Sequence, residues 1–288
     1  NFNNTNTSHR ANAKYIHKFD TTSTLTVYTD GSFNRNKTAN TSNAINRRGD
    51  SSLLYDNDNS SFSNYELNSY NLNVNWEKKL KKYGRTISFY LNNNFSNDVS
   101  SGESRFASKF YDTENNLDSS TLLNLRKEMN DDWRTTNLNV NYTEPLTDKL
   151  SLIVNYTLNN ETSHDDKRSF NLASATPTLV DSAFSTLMNT SILRNQAGAS
   201  LNYTAKKMIV KVGNNVKFVN MDLESIYNSM DAKKQFNNLN PNANFNYKFS
   251  NYKAINISYN GTANNPERTQ LLPFSYNNTQ VTRFMPNL

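Results

Sequence analysis

The sequence contains no cysteine, which removes both a disulfide framework and a thiolate metal site. It also lacks any uninterrupted apolar stretch of the roughly 20 residues that a helical membrane span requires. Mean hydropathy is −0.81, with 35% hydrophobic residues. Histidine is limited to His9, His17 and His164. A net charge of +6 and a pI of 9.2 would suit nucleic acid. The basic residues are scattered or gathered at short turns rather than aligned on one helical face, and nucleic acid is set aside as a partner.

What the chain has in abundance is asparagine, with 53 residues, alongside 16 Tyr, 16 Phe and 2 Trp. Low hydropathy alone would suggest disorder, but disordered segments are poor in aromatics. The aromatics therefore call for an ordered setting.

Alternation with a period of two supplies one. Over residues 139–158, NVNYTEPLTDKLSLIVNYTL, one parity carries Leu138, Val140 and Tyr142, then Leu150, Leu152, Val154, Tyr156 and Leu158. The other carries Asn137, Asn139, Asn141, Ser151, Asn155 and Thr157. Two strands joined by a turn at 144–148 account for both sets, one face apolar and one polar. Four more hairpins repeat the pattern. Leu25, Val27 and Phe33 follow a turn near Thr21. Tyr70 to Trp76 and Ile87 to Phe95 flank Lys81, Ala197 to Tyr203 and Val210 to Phe218 flank Lys206, and Ala243 to Phe249 and Ile255 to Tyr259 flank Asn251.

About ten strands result, each expected to be near the 9 to 11 residues that cross a membrane when tilted. Residues 34–60, 96–132 and 159–193 are expected to be long polar loops, and 221–235 an intermediate one. Brief turns on one side and long loops on the other fit the periplasmic and extracellular ends of an antiparallel transmembrane β-barrel. A soluble β-sandwich shares the alternation, but its strands are shorter and its two ends resemble each other. Trp76, Phe95, Tyr142, Tyr203 and Phe218 lie near strand ends, as interfacial girdles would, or as aromatic β-propensity alone would.

The polar parity is dominated by amides. Asn71, Asn73, Asn75, Ser88, Asn92, Asn137, Asn139, Asn141, Asn155, Asn202, Asn244, Asn246, Asn256 and Asn260 are expected to point inward. An amide wall offers donors and acceptors without a strong field. It suits a folded plug better than the charged rings of an ion-selective pore, although base composition of the gene would produce asparagine too.

The strand-turn-strand of 139–158, followed by DDKRSFN at 165–171, resembles the Bacteroidota outer-membrane β-barrel family of TonB-dependent receptors. The stretch 236–270, FNNLNPNANFNYKFSNYKAINISYNGTANNPERTQ, with LLP at 271–273, is similar to the same family's strand entry, hairpin and Asn-Pro pattern. The resemblance implies a barrel of about 22 strands with a plug domain and an inner-membrane energising complex of the TonB type. Outer-membrane lipid, lipopolysaccharide and a surface lipoprotein join the expected partners. Residues 1–288 are expected to be one barrel segment, with the plug and the terminal strands elsewhere.

No constellation for chemistry emerges. Ser163, His164 and Asp165 are sequence neighbours in an expected loop, whereas a hydrolase needs such groups to converge in space. No catalytic, cofactor or metal residue is assigned, and the chain is expected not to be an enzyme. Asp131 with Asp132, and Asp165 with Asp166, could meet a hard cation or simply line a solvated loop. Tyr55, Phe62, Phe106, Phe110, Tyr111 and Trp133 could contact a ligand or pack among loops. Lys78, Lys79, Lys81, Lys82 and Arg85 crowd one turn, Lys206 and Lys207 another, and Lys248 and Lys253 flank a third. These cations suit either anionic headgroups or ordinary solvation of a turn. The expected function is nutrient import, with a passive channel or a structural barrel within a larger complex as alternatives. The substrate is not legible.

Overall fold

The computed structural model describes residues 1–172, 178–226, 230–266, 276–277 and 283–284. Ten strands succeed one another: β1 (Phe2–Asp20), β2 (Ser23–Arg47), β3 (Leu53–Lys79), β4 (Thr86–Tyr111), β5 (Leu117–Pro145), β6 (Leu150–Asn171), β7 (Thr186–Thr204), β8 (Met208–Ser225), β9 (Met230–Ser250) and β10 (Lys253–Asn260). They form one sheet in chain order, every neighbour antiparallel, with β1 and β10 as its two edges. A separate two-residue ladder joins β11 (Tyr276–Asn277) to β12 (Arg283–Phe284). The all-β antiparallel class and the count of about ten strands match the sequence reading. The motif residues 267–273 lie outside the described residues.

All five short turns fall where the pattern places them, and local chemistry explains them. Asp20 Oδ1 accepts the Thr22 amide at 2.6 Å, the side-chain turn that aspartate favours. Gly84 takes φ +77° in the turn between β3 and β4, a conformation that costs glycine least. The Thr147 hydroxyl oxygen accepts the amides of Lys149 and Leu150 at 3.3 and 3.1 Å.

The expected loops are corrected by the structure. Residues 34–60, 96–132, 159–193 and 221–235 are mostly strand: β3 has 27 residues, β4 26 and β5 29. At about 3.3 Å per residue these strands run some 85 to 95 Å, several times a bilayer's core. The upper connections between β2 and β3 and between β4 and β5 shrink to 48–52 and 112–116. Asp112 closes the second by accepting the amides of Glu114 and Asn116, each at 2.8 Å.

Register explains how such long strands stay aligned. Directly opposed residues share a face, and the apolar parity is continuous across the sheet. One row runs His17, Leu25, Trp76, Phe89, Val140, Tyr156, Ala197, Val216 and Leu239. The next runs from Tyr142 through Val154 to Ala199. Much of this face is bare to its surroundings, with Val212 56% exposed and Leu201 48%. So broad an exposed apolar band on a soluble protein would be a liability; in a bilayer it is the lipid-facing wall.

Farther up the same strands the parity reverses. In β8, Val210, Val212, Val216 and Phe218 point outward, whereas Val219, Met221 and Leu223 point inward and are buried, with Asn220, Asp222 and Glu224 exposed between them. No register shift interrupts β8 on either side, so the change is one of side chains and not of backbone. In β5, Leu138, Val140 and Tyr142 face outward, while Leu123 and Leu125 face inward and are buried. Met188, Ile192, Val219, Met221, Leu223 and Ala232, with Phe236 packed against them, form an inward core on upper β7 to β9. The physical cause is the solvent. Where the outside is lipid the outward face is apolar, and where the outside is water the apolar side chains turn inward. Phe218 lies opposite Asn195, and that row continues through Leu158, Leu138, Leu91 and Val74, which sit within the apolar bands of their own strands. The boundary therefore drifts across the hydrogen-bond rows, as tilted strands require.

Candidate functional site: the polar inner face

The inner face is built by the parity opposite to the lipid wall, and register brings its amides together. Asn73, Asn92, Asn137, Asn159 and Arg194 occupy one row on β3 to β7. Arg194 donates to Asn159 Oδ1 at 2.5 Å, Asn159 to Asn137 at 2.5 Å, Asn137 to Asn92 at 3.3 Å, and Asn92 to Asn73 at 2.8 Å. Arg194 is also paired with Glu161 at 3.0 Å. At the far end Asn71, Asn94, Asn92 and Asn73 close a ring in which each amide donates to the next. Such rings satisfy every member while leaving lone pairs and amide hydrogens for a visitor. Every asparagine expected to point inward lies on this parity.

Gly198 makes a second junction possible. It sits between Asn155 and Asn215 in register, and a Cβ there would lie 1.8 Å from Asn215 Oδ1 and 2.8 Å from Asn155 Oδ1. Without it, Asn155 Nδ2 donates to Asn215 Oδ1 at 3.1 Å, spanning three strands. Beyond β10 the chain turns onto this same face, with Lys217 Nζ donating to the Ala263 carbonyl and Asn238 Nδ2 to Asn265 Oδ1 at 2.8 Å.

Above the boundary the inner face changes character. Asp98, Asp131 and Asp165 lie on one row. The Tyr65 hydroxyl donates to Asp98 at 3.2 Å, and Lys167 Nζ reaches Asp131 at 3.0 Å. Burial raises the Asp131 carboxyl above its ordinary range, opposed by its hydrogen bond and charge contact with Lys167. Sequence adjacency had suggested other clusters. Asp131 and Asp132, like Asp165 and Asp166, point to opposite faces because they are strand neighbours; Asp166 instead meets Arg168 at 2.6 Å. Among the described residues no group of three or more His, Asp or Glu is arranged to hold a metal ion.

The same alternation dismantles the one hydrolase-like run. These residues lie in strand β6, not in a loop. Ser163 donates to Asp165 at 3.2 Å on the inner face. The His164 ring points the other way, with Nδ1 2.7 Å from Asn189 Oδ1. The aromatics expected on loops also lie on strands. Tyr55 and Phe110 pair at 6.3 Å between ring centres on the inner parity, joined there by Phe106 and Trp133, whereas Phe62 points outward. Asp98, Glu161, Arg194 and Tyr65 escaped the sequence reading because only cross-strand register reveals their partners.

At the opposite end of the strands a compact ion cluster ties two turns. Arg85 grips Glu144 through two bonds of 2.7 Å, Lys82 adds a third at 2.8 Å, and the Tyr142 hydroxyl a fourth at 2.6 Å. The Arg85 guanidinium first, then Lys82 and Tyr142, hold the Glu144 carboxyl down to about 2.

A family model for the outer membrane protein beta-barrel family matches residues 78–284, more than two thirds of the chain. No curated protein matches. Thirteen chains of solved structures do. One is the ferric citrate transporter FecA in the unliganded form, at 8% identity and TM-score 0.36, with 85% of this chain and 42% of that one covered. Another is the ferric yersiniabactin uptake receptor FyuA from Yersinia pestis, at 9% identity and TM-score 0.31, with 80% and 43% covered. The chain thus spans less than half the length of either. The strand pattern, the exposed apolar wall and the matched family model agree: the chain belongs to the outer membrane protein beta-barrel family and resides in the cell outer membrane.

Proposed function

We propose that this chain forms part of the wall of a large, plugged outer-membrane transporter that imports a nutrient with energy delivered from the inner membrane. The observation that carries the reading is the open sheet. Ten strands pair in sequence, yet among the described residues β1 and β10 remain its edges, and edge groups cannot be left unpaired in lipid. Further strands would complete the barrel. The amide rows of the inner face support a plug within it, because they bind peptide groups without imposing a charge filter. The family resemblance of 139–158 and 236–270 points to the same class, with a TonB-type complex as the energy source. Lipid and lipopolysaccharide would surround the wall, and a surface lipoprotein could sit over its upper strands.

The test uses the full-length protein. In planar bilayers it should show no steady open-channel current. In cells, uptake of a labelled panel of glycans, peptides, siderophores and vitamins should contain one member whose accumulation collapses with an uncoupler. A large ohmic conductance with uncoupler-insensitive uptake would establish a passive channel instead. Absence of both, with stoichiometric partners retained in detergent, would establish an assembly barrel.

A further inference from the structure

Charge is unevenly placed along these strands. The five short-turn segments 17–24, 77–86, 143–150, 204–209 and 247–254 hold eleven of the 31 Lys and Arg but only four of the 25 Asp and Glu. Their net charge is +7 against +6 for the whole chain, so the remaining residues are close to neutral. The four acids are partly spoken for: Asp20 pairs with Lys78 at 3.0 Å, and Glu144 with Arg85 and Lys82. Lys79, Lys81, Lys206, Lys207, Lys248 and Lys253 are exposed and make no ion pair among the described residues. Lys79, opposite Thr86, and Lys248, opposite Ala254, fall on the inner parity, which leaves Lys81, Lys206, Lys207 and Lys253 to the outer rim.

Aromatics accompany the lysines. Tyr83 and Tyr252 sit at the tips of two of these turns and are each 98% exposed. Neither ring has an apolar neighbour to explain it as core. A tyrosine at a turn tip is well placed where its ring enters the acyl boundary and its hydroxyl stays among headgroups. Lysine stems likewise lie along apolar surface while the ammonium reaches outward. The apolar band of the outer wall begins immediately above, at Trp76, Ile87, Tyr142, Tyr203 and Tyr247.

We propose that this rim is a binding belt for anionic phospholipid headgroups of the periplasmic leaflet, with Lys81, Lys206, Lys207 and Lys253 meeting phosphates and Tyr83 and Tyr252 anchoring the turns in the headgroup layer. The belt follows from the orientation in which the turns next to the apolar band face the periplasm and the long strand extensions stand outside the cell. It is independent of what the barrel transports. Each lysine adds a point charge with three donors, suited to many phosphates rather than to one shaped ligand.

The experiment reconstitutes the full-length protein in phosphatidylcholine vesicles carrying spin-labelled phosphatidylglycerol or spin-labelled phosphatidylcholine, and measures the motionally restricted fraction of each. The expected result is a severalfold preference for phosphatidylglycerol, falling towards equality at 1 M salt, where the screening length is about 3 Å. The combined variant K81Q/K206Q/K207Q/K253Q should lose the preference, whereas K37Q/K109Q/K233Q/K234Q on the upper strands should keep it. The salt titration on the unmodified protein stands even where the fourfold variant fails to insert. Equal restriction of both lipids by the unmodified protein would overturn the proposal. So would displacement of the lipid by inorganic phosphate at constant ionic strength, which marks a small-anion site. Retention of a salt-sensitive acidic periplasmic protein without any lipid preference would overturn it in favour of a protein partner.

Discussion

The lower and upper halves of β8 share one backbone ladder and one strand direction, yet they bury opposite faces. From Val210 to Phe218 the apolar side chains point outward and are half-buried or exposed; above Phe218 they point inward and are buried. The difference teaches that the burial pattern of a strand records the solvent on its outer side, not a property of the strand. The lower half is solvated by lipid and needs no apolar interior, so its interior is free to be amide. The upper half stands in water and must make its own core.

The largest expected effect lies in the upper core. Met221, 3% exposed, should cost about 2 to 5 kcal/mol when replaced by alanine, the usual range for a buried Met truncation that leaves a cavity. Equilibrium unfolding should give the same figure in vesicles of thin and thick bilayers. A cost that tracks bilayer thickness would place Met221 at the lipid boundary and break the division.

Next comes the lower wall. Val154→Arg should destabilise the folded protein in vesicles by about 2 to 4 kcal/mol, the cost of a cation at the bilayer midplane. Asn155→Arg should cost about 1 kcal/mol, mainly the lost hydrogen bond to Asn215. Asp222→Arg, outward on upper β8, should leave stability unchanged. Equal penalties at Val154 and Asp222 would erase the distinction between the two halves.

A smaller effect sharpens the amide interior. Gly198→Ala should cost about 1 kcal/mol, because the new methyl must displace the flexible end of Asn215 and break its bond with Asn155. In the background of Asn215→Ala the same substitution should cost far less. Full cost in both backgrounds would show that backbone crowding, and not the amide bridge, is responsible.

The smallest effect concerns pH. The Glu144 carboxyl is held at about 2 against 4.5 ordinarily, so its tie to Arg85 and Lys82 is complete above pH 4.5 and is lost as pH falls through about 2. Spin labels at Tyr83 and Asp148 should report a narrow distance distribution from pH 8 to 5 that broadens between pH 4.5 and 2. With E144Q the distribution should be broad throughout. Broadening near pH 6 would assign the tie to some other group.

These two halves also separate what the sequence disclosed from what it hid. The turns at Thr21, Lys81, Thr147, Lys206 and Asn251, the outward parity from Val154 to Tyr156, and the inward asparagines were legible because lipid makes alternation steep there. The upper strands were expected to be loops for a physical reason. Tracking one apolar parity upward, the signal fades at Phe218 and resumes on the other parity at Val219, so the pattern of a strand stops where only its solvent changes. The candidate site suffered similarly: Asp131 and Asp165 were visible, but as pairs with their sequence neighbours. Their true partners, Asp98, Lys167 and Tyr65, are set by register, which no single strand encodes.

The most direct test is a quenching scan along β8. A fluorophore placed singly at each position from 208 to 225 in the full-length protein would be read against brominated acyl chains. Strong quenching is predicted at Val210, Val212, Val216 and Phe218, with none at Val219, Met221 or Leu223 and none at Asp222 or Glu224. Alternating quenching that continues through Asp222 and Glu224, or that appears at Met221 and Leu223, would contradict a boundary at Phe218 and with it the claim that lipid and water divide this strand.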